Sequence, residues 1–171
     1  MKALLAWPLL VVVIVADLVT KLMAVSMLDP NGMPHRVLGD GVRLALVYNP
    51  GAAFGLYLGS YSRWIFMALT TGALLILWRL YQQAASTDRA RTVAVALVAA
   101  GAIGNLIDRI RSEHGVVDFI DVGIGAHRWP TFNIADMAVS SGAILLALVL
   151  WGEESATKAP AAVAPGPVDG S

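Results

Sequence analysis

Asp118, Asp121 and Asp136 fall in one stretch, Gly115 to Asp136, between two apolar runs. Chains this apolar rarely keep acids beside such runs without a use for them. Two carboxylates brought close cannot both ionise easily, so one keeps its proton and the other loses its own. That division supplies a base to activate water and an acid to polarise a carbonyl, as in aspartic proteases. The proton belongs to the pair rather than to either member. Asp118 and Asp136 are the candidate pair. Asp121 competes with Asp118 for its place, and spacing does not separate them. The plain alternative is that these are unrelated loop charges.

Further polar residues cluster by helical spacing. Asn105, Asp108 and Arg109 stand at i, i+3 and i+4, and Asn133, Asp136 and Ser140 at i, i+3 and i+7. Each set shares one helix face, and lipid cannot satisfy such groups, so both faces should turn inward. Asp108 with Arg109 reads first as a buried acid and base serving their neighbours. Asp17 and Lys21 are four apart, acid before base, on one face of the first apolar run. They are either a self-neutralising pair or the floor of a polar site. Asn49-Pro50-Gly51 has the composition of a turn. Gly101 and Gly104 would let helices approach closely.

These residues need elements to hold them, and composition sets the class. Of 171 residues, 57% are hydrophobic and 14% charged, too few polar groups to cover a water-soluble globule. The net charge is zero, with no basic tract, which argues against nucleic acid as a partner. The absence of cysteine excludes disulfides and thiol chemistry. His35, His114 and His127 lack ligand spacing, so no metal site is expected. Four apolar runs, at about Leu4–Met27, Ser62–Leu80, Thr92–Ile110 and Phe132–Trp151, are long enough to span a bilayer. The first reads as an uncleaved span rather than a signal peptide, because Asp17 and Lys21 interrupt it. Between the first two spans, Val42–Tyr48 is strand-like and Ala53–Leu58 is a candidate return strand, together a small hairpin on the membrane surface. The expected organisation is one membrane domain over 1–151 with the hairpin at about 42–58. A disordered Ala-, Pro- and Gly-rich tail is expected over 152–171.

Four spans place the polar motifs on one side of the membrane and both termini on the other. Arginines and lysines are spread so evenly that charge counting does not fix which side is outside. A serine–lysine peptidase, with Lys21 activating Ser26 or Ser140, lacks a supporting motif. A small proton-coupled transporter using the paired acids is the non-enzyme alternative. Four spans without an internal repeat leave it little room for alternating access.

Taken together, the motifs resemble those of the lipoprotein signal peptidases, or signal peptidase II. The resemblance rests on Asp17-Leu-Val-Thr-Lys21, Asn49-Pro-Gly-Ala-Ala-Phe54 and Gly101-Ala-Ile-Gly-Asn-Leu-Ile-Asp-Arg109, followed by Val116-Val-Asp-Phe119 and Phe132-Asn-Ile-Ala-Asp136. Ala100 departs from the family, which often has a second glycine there. The resemblance implies four transmembrane helices, a small extracytoplasmic β-cradle and an aspartic endopeptidase of the bacterial inner membrane. Its site would face the periplasm, with both termini cytoplasmic. It assigns the dyad to Asp118 and Asp136. Asn49, Gly51, Asn105, Arg109 and Asn133 would support the site or contact substrate, and Asp17, Lys21 and Asp108 would form a polar scaffold. The implied substrate is a diacylglyceryl-modified prolipoprotein, cut N-terminal to the lipidated cysteine. Membrane lipid and globomycin-type inhibitors are further expected partners, and no cofactor or metal is implied.

Overall fold

The structure is a computed structural model that describes residues 1–51 and 58–158, with side chains as far as Glu153. Among the described residues, four helices are long and apolar enough to cross a membrane. They are α1 (Lys2–Met27), α2 (Ser62–Gln83), α3 (Arg89–Arg111) and α4 (Ile134–Lys158). Strands β1 (His35–Leu38) and β2 (Val42–Asn49) lie between α1 and α2, and β3 (Val116–Ile124) and β4 (His127–Arg128) between α3 and α4. Each expected span is present, and α4 continues past Trp151 into the segment expected to be tail.

Helix α3 is the centre of the bundle and packs against α4, α1 and α2. Its small residues make this possible. Ala94 and Ala100 are completely buried. A Cβ on Gly101 would stand 2.2 Å from the Ala135 carbonyl oxygen, and one on Gly104 would stand 2.5 Å from an Asp17 carboxylate oxygen. These glycines therefore set the distances from α3 to α4 and to α1, the packing role expected of them.

The two ends of the bundle differ in what they carry. The Lys2 ammonium donates to the carbonyls of Tyr81, Gln82 and Ala84 at 2.9, 3.2 and 2.8 Å. It thereby caps the C-terminal end of α2, where carbonyls lack helical partners. Arg91, at the start of α3, pairs with Glu153 on α4. The N-terminus, the α2–α3 loop and the end of α4 thus share one end of the bundle, and the strands occupy the other.

The strands form one antiparallel sheet in the order β1-β2-β3-β4. The strand-like reading of Val42–Tyr48 corresponds to β2. Among the described residues β2 pairs with β1 over Val42–Leu44 and with β3 between Val42 and Asn49, and the return strand expected at Ala53–Leu58 falls almost wholly beyond them. All of that segment except Leu58 lies outside the described residues, and Leu58 itself is in no strand. Strand β3 pairs Val47 with Asp118 and Arg43 with Asp121. It is seated on the bundle by Val117 and Phe119, which pack with Leu46 of β2 and Ala24 of α1. A bridge between Ile120 and Phe132 ties it to the segment leading into α4.

Candidate active site

The entry to α4 is built by a reciprocal cap. The Asn133 side-chain oxygen accepts the Asp136 backbone N–H at 2.9 Å, and an Asp136 carboxylate oxygen accepts the Asn133 N–H at 3.2 Å. Each residue satisfies an otherwise orphaned donor of the other, the logic of a capping box. The cap fixes where the Asp136 carboxylate stands. It also buries Asn133 completely, with its NH2 directed back at β3.

That NH2 group donates to Asp118 Oδ1 at 2.7 Å and also lies 3.2 Å from Asn105 Oδ1 and from the Val117 carbonyl. One residue therefore touches both aspartates. Asp118 Oδ2 accepts from Asn49 Nδ2 at 3.1 Å. Asn49 is oriented by its own turn, because its Oδ1 accepts the Gly51 N–H at 3.0 Å and leaves the NH2 end for Asp118. Asp136 Oδ1 accepts from Asn105 Nδ2 at 2.8 Å. Neither carboxylate forms an ion pair with any of the described residues.

Arg109 holds the turn rather than the acids. It donates to the Gly51 carbonyl at 2.7 Å and to the Asn105 carbonyl at 3.1 Å, with its guanidinium over the Phe66 ring. Beneath these groups lies a completely buried ionic floor. The Lys21 ammonium contacts Asp17 at 2.8 Å, Asp108 at 2.9 Å and Asn105 Oδ1 at 2.9 Å. Asp17 accepts the Ala135 N–H in the first turn of α4, and Asp108 accepts the Val117 N–H of β3. The floor thus joins α1, α3, α4 and β3. Among the described residues Lys21 contacts Asp17, Asp108 and Asn105 and no serine, and Ser26 bonds the Met23 carbonyl, so the serine–lysine arrangement has no geometric support there.

A cleft of about 510 Å³ opens above the floor. Asp118, Asp136, Asn49, Asn105 and Arg109 line its polar end, and Phe66, Thr70, Val139 and Ser140 line its sides on α2 and α4. Burial, reinforced by the Asp136 charge, pushes the Asp118 carboxyl up to about 7, against the opposing pull of the Asn49 and Asn133 hydrogen bonds and of Lys21. Asp121 is elsewhere. Alternation along β3 turns it to the face opposite Asp118, where Arg128 and Arg43 each bond it at 2.9 Å. Burial there works to raise its pKa, but the two arginines outweigh it and hold the carboxyl below its ordinary range.

The sequence-expected residues therefore fall into three places. Asp118, Asp136, Asn49, Asn105, Arg109 and Asn133 surround one point, with Gly51 joined through its carbonyl. Asp17, Lys21 and Asp108 lie directly below, and Asp121 lies apart. Sequence reasoning missed Arg111, which bonds Asp108 at 2.7 Å. It also missed the role of Gly115, whose φ is +98° and whose Cβ, were there one, would lie 2.1 Å from the Asn49 carbonyl oxygen. The available signal was a glycine directly before an apolar β-branched pair.

Comparison with known proteins places the chain in a family. The family model described as signal peptidase (SPase) II matches residues 9–152. The lipoprotein signal peptidase of Burkholderia thailandensis is 42% identical over 137 residues, 79% of this chain and 80% of that protein. The protein of the same name from Paraburkholderia phymatum is 41% identical over 138 residues, covering 80% of this chain and 81% of the relative. A solved structure described as a bacterial membrane enzyme, obtained by the in meso method at 2.3 Å, is similar with a TM-score of 0.81 and 31% identity. The match covers 93% of this chain and 94% of that one.

Proposed function

Because this chain belongs to the signal peptidase II family and so to the proteases, we propose that Asp118 and Asp136 form an aspartic dyad that removes signal peptides from diacylglyceryl-modified prolipoproteins. The observation that carries this reading is Asn133, which bonds both carboxylates at the polar end of one cleft. Amides rather than cations hydrogen-bond the two acids. Amide hydrogen bonds orient a carboxylate without the full charge that would pin it in the ionised form.

In the proposed reaction the pair holds one proton. The ionised member takes a proton from water, and the water oxygen attacks the carbonyl carbon of the residue before the lipidated cysteine. The protonated member gives its proton to the carbonyl oxygen, forming a gem-diol. Collapse of the diol transfers a proton to the cysteine nitrogen and breaks the C–N bond, and the pair is left with one proton again. The apolar flanks on α2 and α4 would bury the acyl chains and the signal segment, each methylene contributing about 0.8 kcal/mol. The site would face the periplasm of a bacterial inner membrane, with both termini cytoplasmic. Globomycin-type cyclic peptides would bind over the dyad.

The test is cleavage by the purified protein in detergent of one precursor with and without its diacylglyceryl group. The lipidated form should be cut N-terminal to its cysteine, and the unlipidated form should be a poor substrate. Equal kcat/KM for the two would remove the lipid from the proposal. No cleavage of either, together with proton flux in vesicles, would favour the transporter.

A further inference from the structure

The floor beneath the dyad raises a question of amide direction. Asn105 can donate to Asp136 only if its NH2 end, and not its oxygen, faces that carboxylate. A side-chain amide has two ends of similar shape and opposite polarity, and its neighbours decide which way it lies. Lys21 is the neighbour that decides. An ammonium has three donors and no acceptor, and all three are placed here, on Asp17, Asp108 and Asn105 Oδ1. The reversed amide would set two donors against a buried cation. With the oxygen held down, the NH2 end stands 2.8 Å from Asp136 Oδ1. The same Asn105 oxygen lies 3.2 Å from the Asn133 NH2, whose stronger bond is the 2.7 Å contact with Asp118. The hydrogen-bond polarity therefore runs from the buried cation through Asn105 to Asp136, while the Asn133 NH2 donates separately to Asn105 Oδ1 and to Asp118.

We infer that Lys21 is a positioning residue for this hydrolysis, its ammonium holding the Asn105 amide so that Asp136 receives a donor and not a second oxygen. This inference rests on the dyad reading. The effect comes through the directed bond rather than through net charge. Asp17, Lys21, Asp108 and Arg111 form a chain of alternating charges, in which the two acids oppose the pull of Lys21 on Asp118. Lys21 itself is completely buried, does not line the cleft and has no route to substrate.

The experiment compares Lys21→Met with the charge-balanced Lys21→Met/Asp17→Asn. In the latter the amide oxygen introduced at position 17 still accepts the Ala135 N–H, and Asp108 keeps Arg111. Each is also made in an Asn105→Leu background, and thermal unfolding in detergent checks the fold. A freed amide that misplaces Asp136 by an ångström should lower kcat about 100-fold while KM changes by less than about threefold. In the Asn105→Leu background the same change should have almost no further effect, since the group Lys21 acts upon is gone. Near-normal kcat in the folded charge-balanced variant overturns the inference, as does an equal loss in both backgrounds. Failure of the charge-balanced variant to fold while Asn105→Leu folds also overturns it, because Lys21 would then serve the fold alone. Asp136→Asn, assayed alongside, separates the two readings. If it retains activity the dyad fails, and if it is inactive while the Lys21 variants are normal, only the positioning role fails.

Discussion

The two faces of β3 carry the same side chain three residues apart and treat it in opposite ways. Asp118 faces the cleft, where asparagine amides reach it and its neighbouring charge is another acid. Asp121 faces the other way, between two arginines. The first environment leaves a carboxyl whose proton is exchangeable near neutrality, and the second leaves an anion at neutral pH. What divides a chemical aspartate from a structural one here is the kind of donor around it, since both are buried. Their contributions to stability have opposite signs against pH. Asp118, raised to about 7, favours the folded state most at low pH, and that contribution is lost as pH rises through its folded value. Asp121, held low, favours the folded state above the ordinary carboxylate range, and its contribution is lost as pH falls through its depressed value.

The comparison breaks most sharply if the cleft face proves dispensable. Asp118→Asn and Asp136→Asn should each lower kcat by about 10⁴-fold or more, and the double variant should be hardly worse than either, because the two act as one unit. Single-turnover cleavage of a lipidated precursor measures this. Activity in Asp118→Asn together with inactivity in Asp121→Asn would exchange the roles of the two faces.

A smaller loss should follow from moving a donor while leaving both acids in place. Gly115 lies at φ +98°, with the Asn49 carbonyl where a Cβ would go. Gly115→Ala must push the end of β2 away from β3, and Asn49 with it. Loss of that alignment should cost about 100-fold in kcat/KM. The strand turn is far from the helix–helix contacts that hold the bundle, so the melting temperature in detergent should fall much less than it does for Gly101→Val.

The pH profile sharpens the contrast further. The pair must keep one proton, and Asp118 titrates at about 7, so kcat/KM should fall as pH rises above that value. The Asn49 hydrogen bond favours the ionised carboxylate and lowers its pKa. Asn49→Ala should therefore move the alkaline limb to higher pH while reducing the maximum rate. A limb that moves to lower pH, or stays in place, would show that Asn49 does not act on Asp118.

Much of this arrangement is written locally, and the rest is not. The spans and their common polar end follow from long apolar runs and from helical spacing of Asn105 with Arg109 and of Asn133 with Asp136. The Asn133–Asp136 cap is also local, an N-cap residue three before an acid, although spacing by itself shows only a shared face. What could not be read is whatever depends on strand pairing. Strand β3 joins partners from β2, some 70 positions earlier in the chain, and its two acids disguise the alternation of Val116–Ile124. Without that strand the parity that separates Asp118 from Asp121 is invisible, which is why spacing leaves the two in contest. For the same reason the pairing of β2 with β3 has no local signal in the sequence. The convergence of Lys21 on Asp108 and Asn105 likewise joins helices through tertiary packing alone.

The smallest effect on activity is expected on the outer face. Asp121→Asn keeps one acceptor for Arg43 or Arg128 but removes the charge that both arginines share. The arginines are partly exposed, with 23% and 17% of their side chains open to solvent, so water can take up the donors that are released. The cost to stability should be about 1–2 kcal/mol, the scale of a charge-assisted hydrogen bond lost at a partly wet site. The β2–β3 pairing near Asp118 does not depend on that contact, since Val47, Tyr48 and Asn49 continue the ladder on the cleft side. Activity at pH 7 should therefore stay within about threefold of the parent, a transition-state difference below about 1 kcal/mol. The loss of stability should also depend on pH, shrinking in acid as Asp121 of the parent takes up its own proton. A variant that is as stable as the parent yet inactive would mean that the outer face feeds the cleft directly, and the division between the two faces of β3 would not hold.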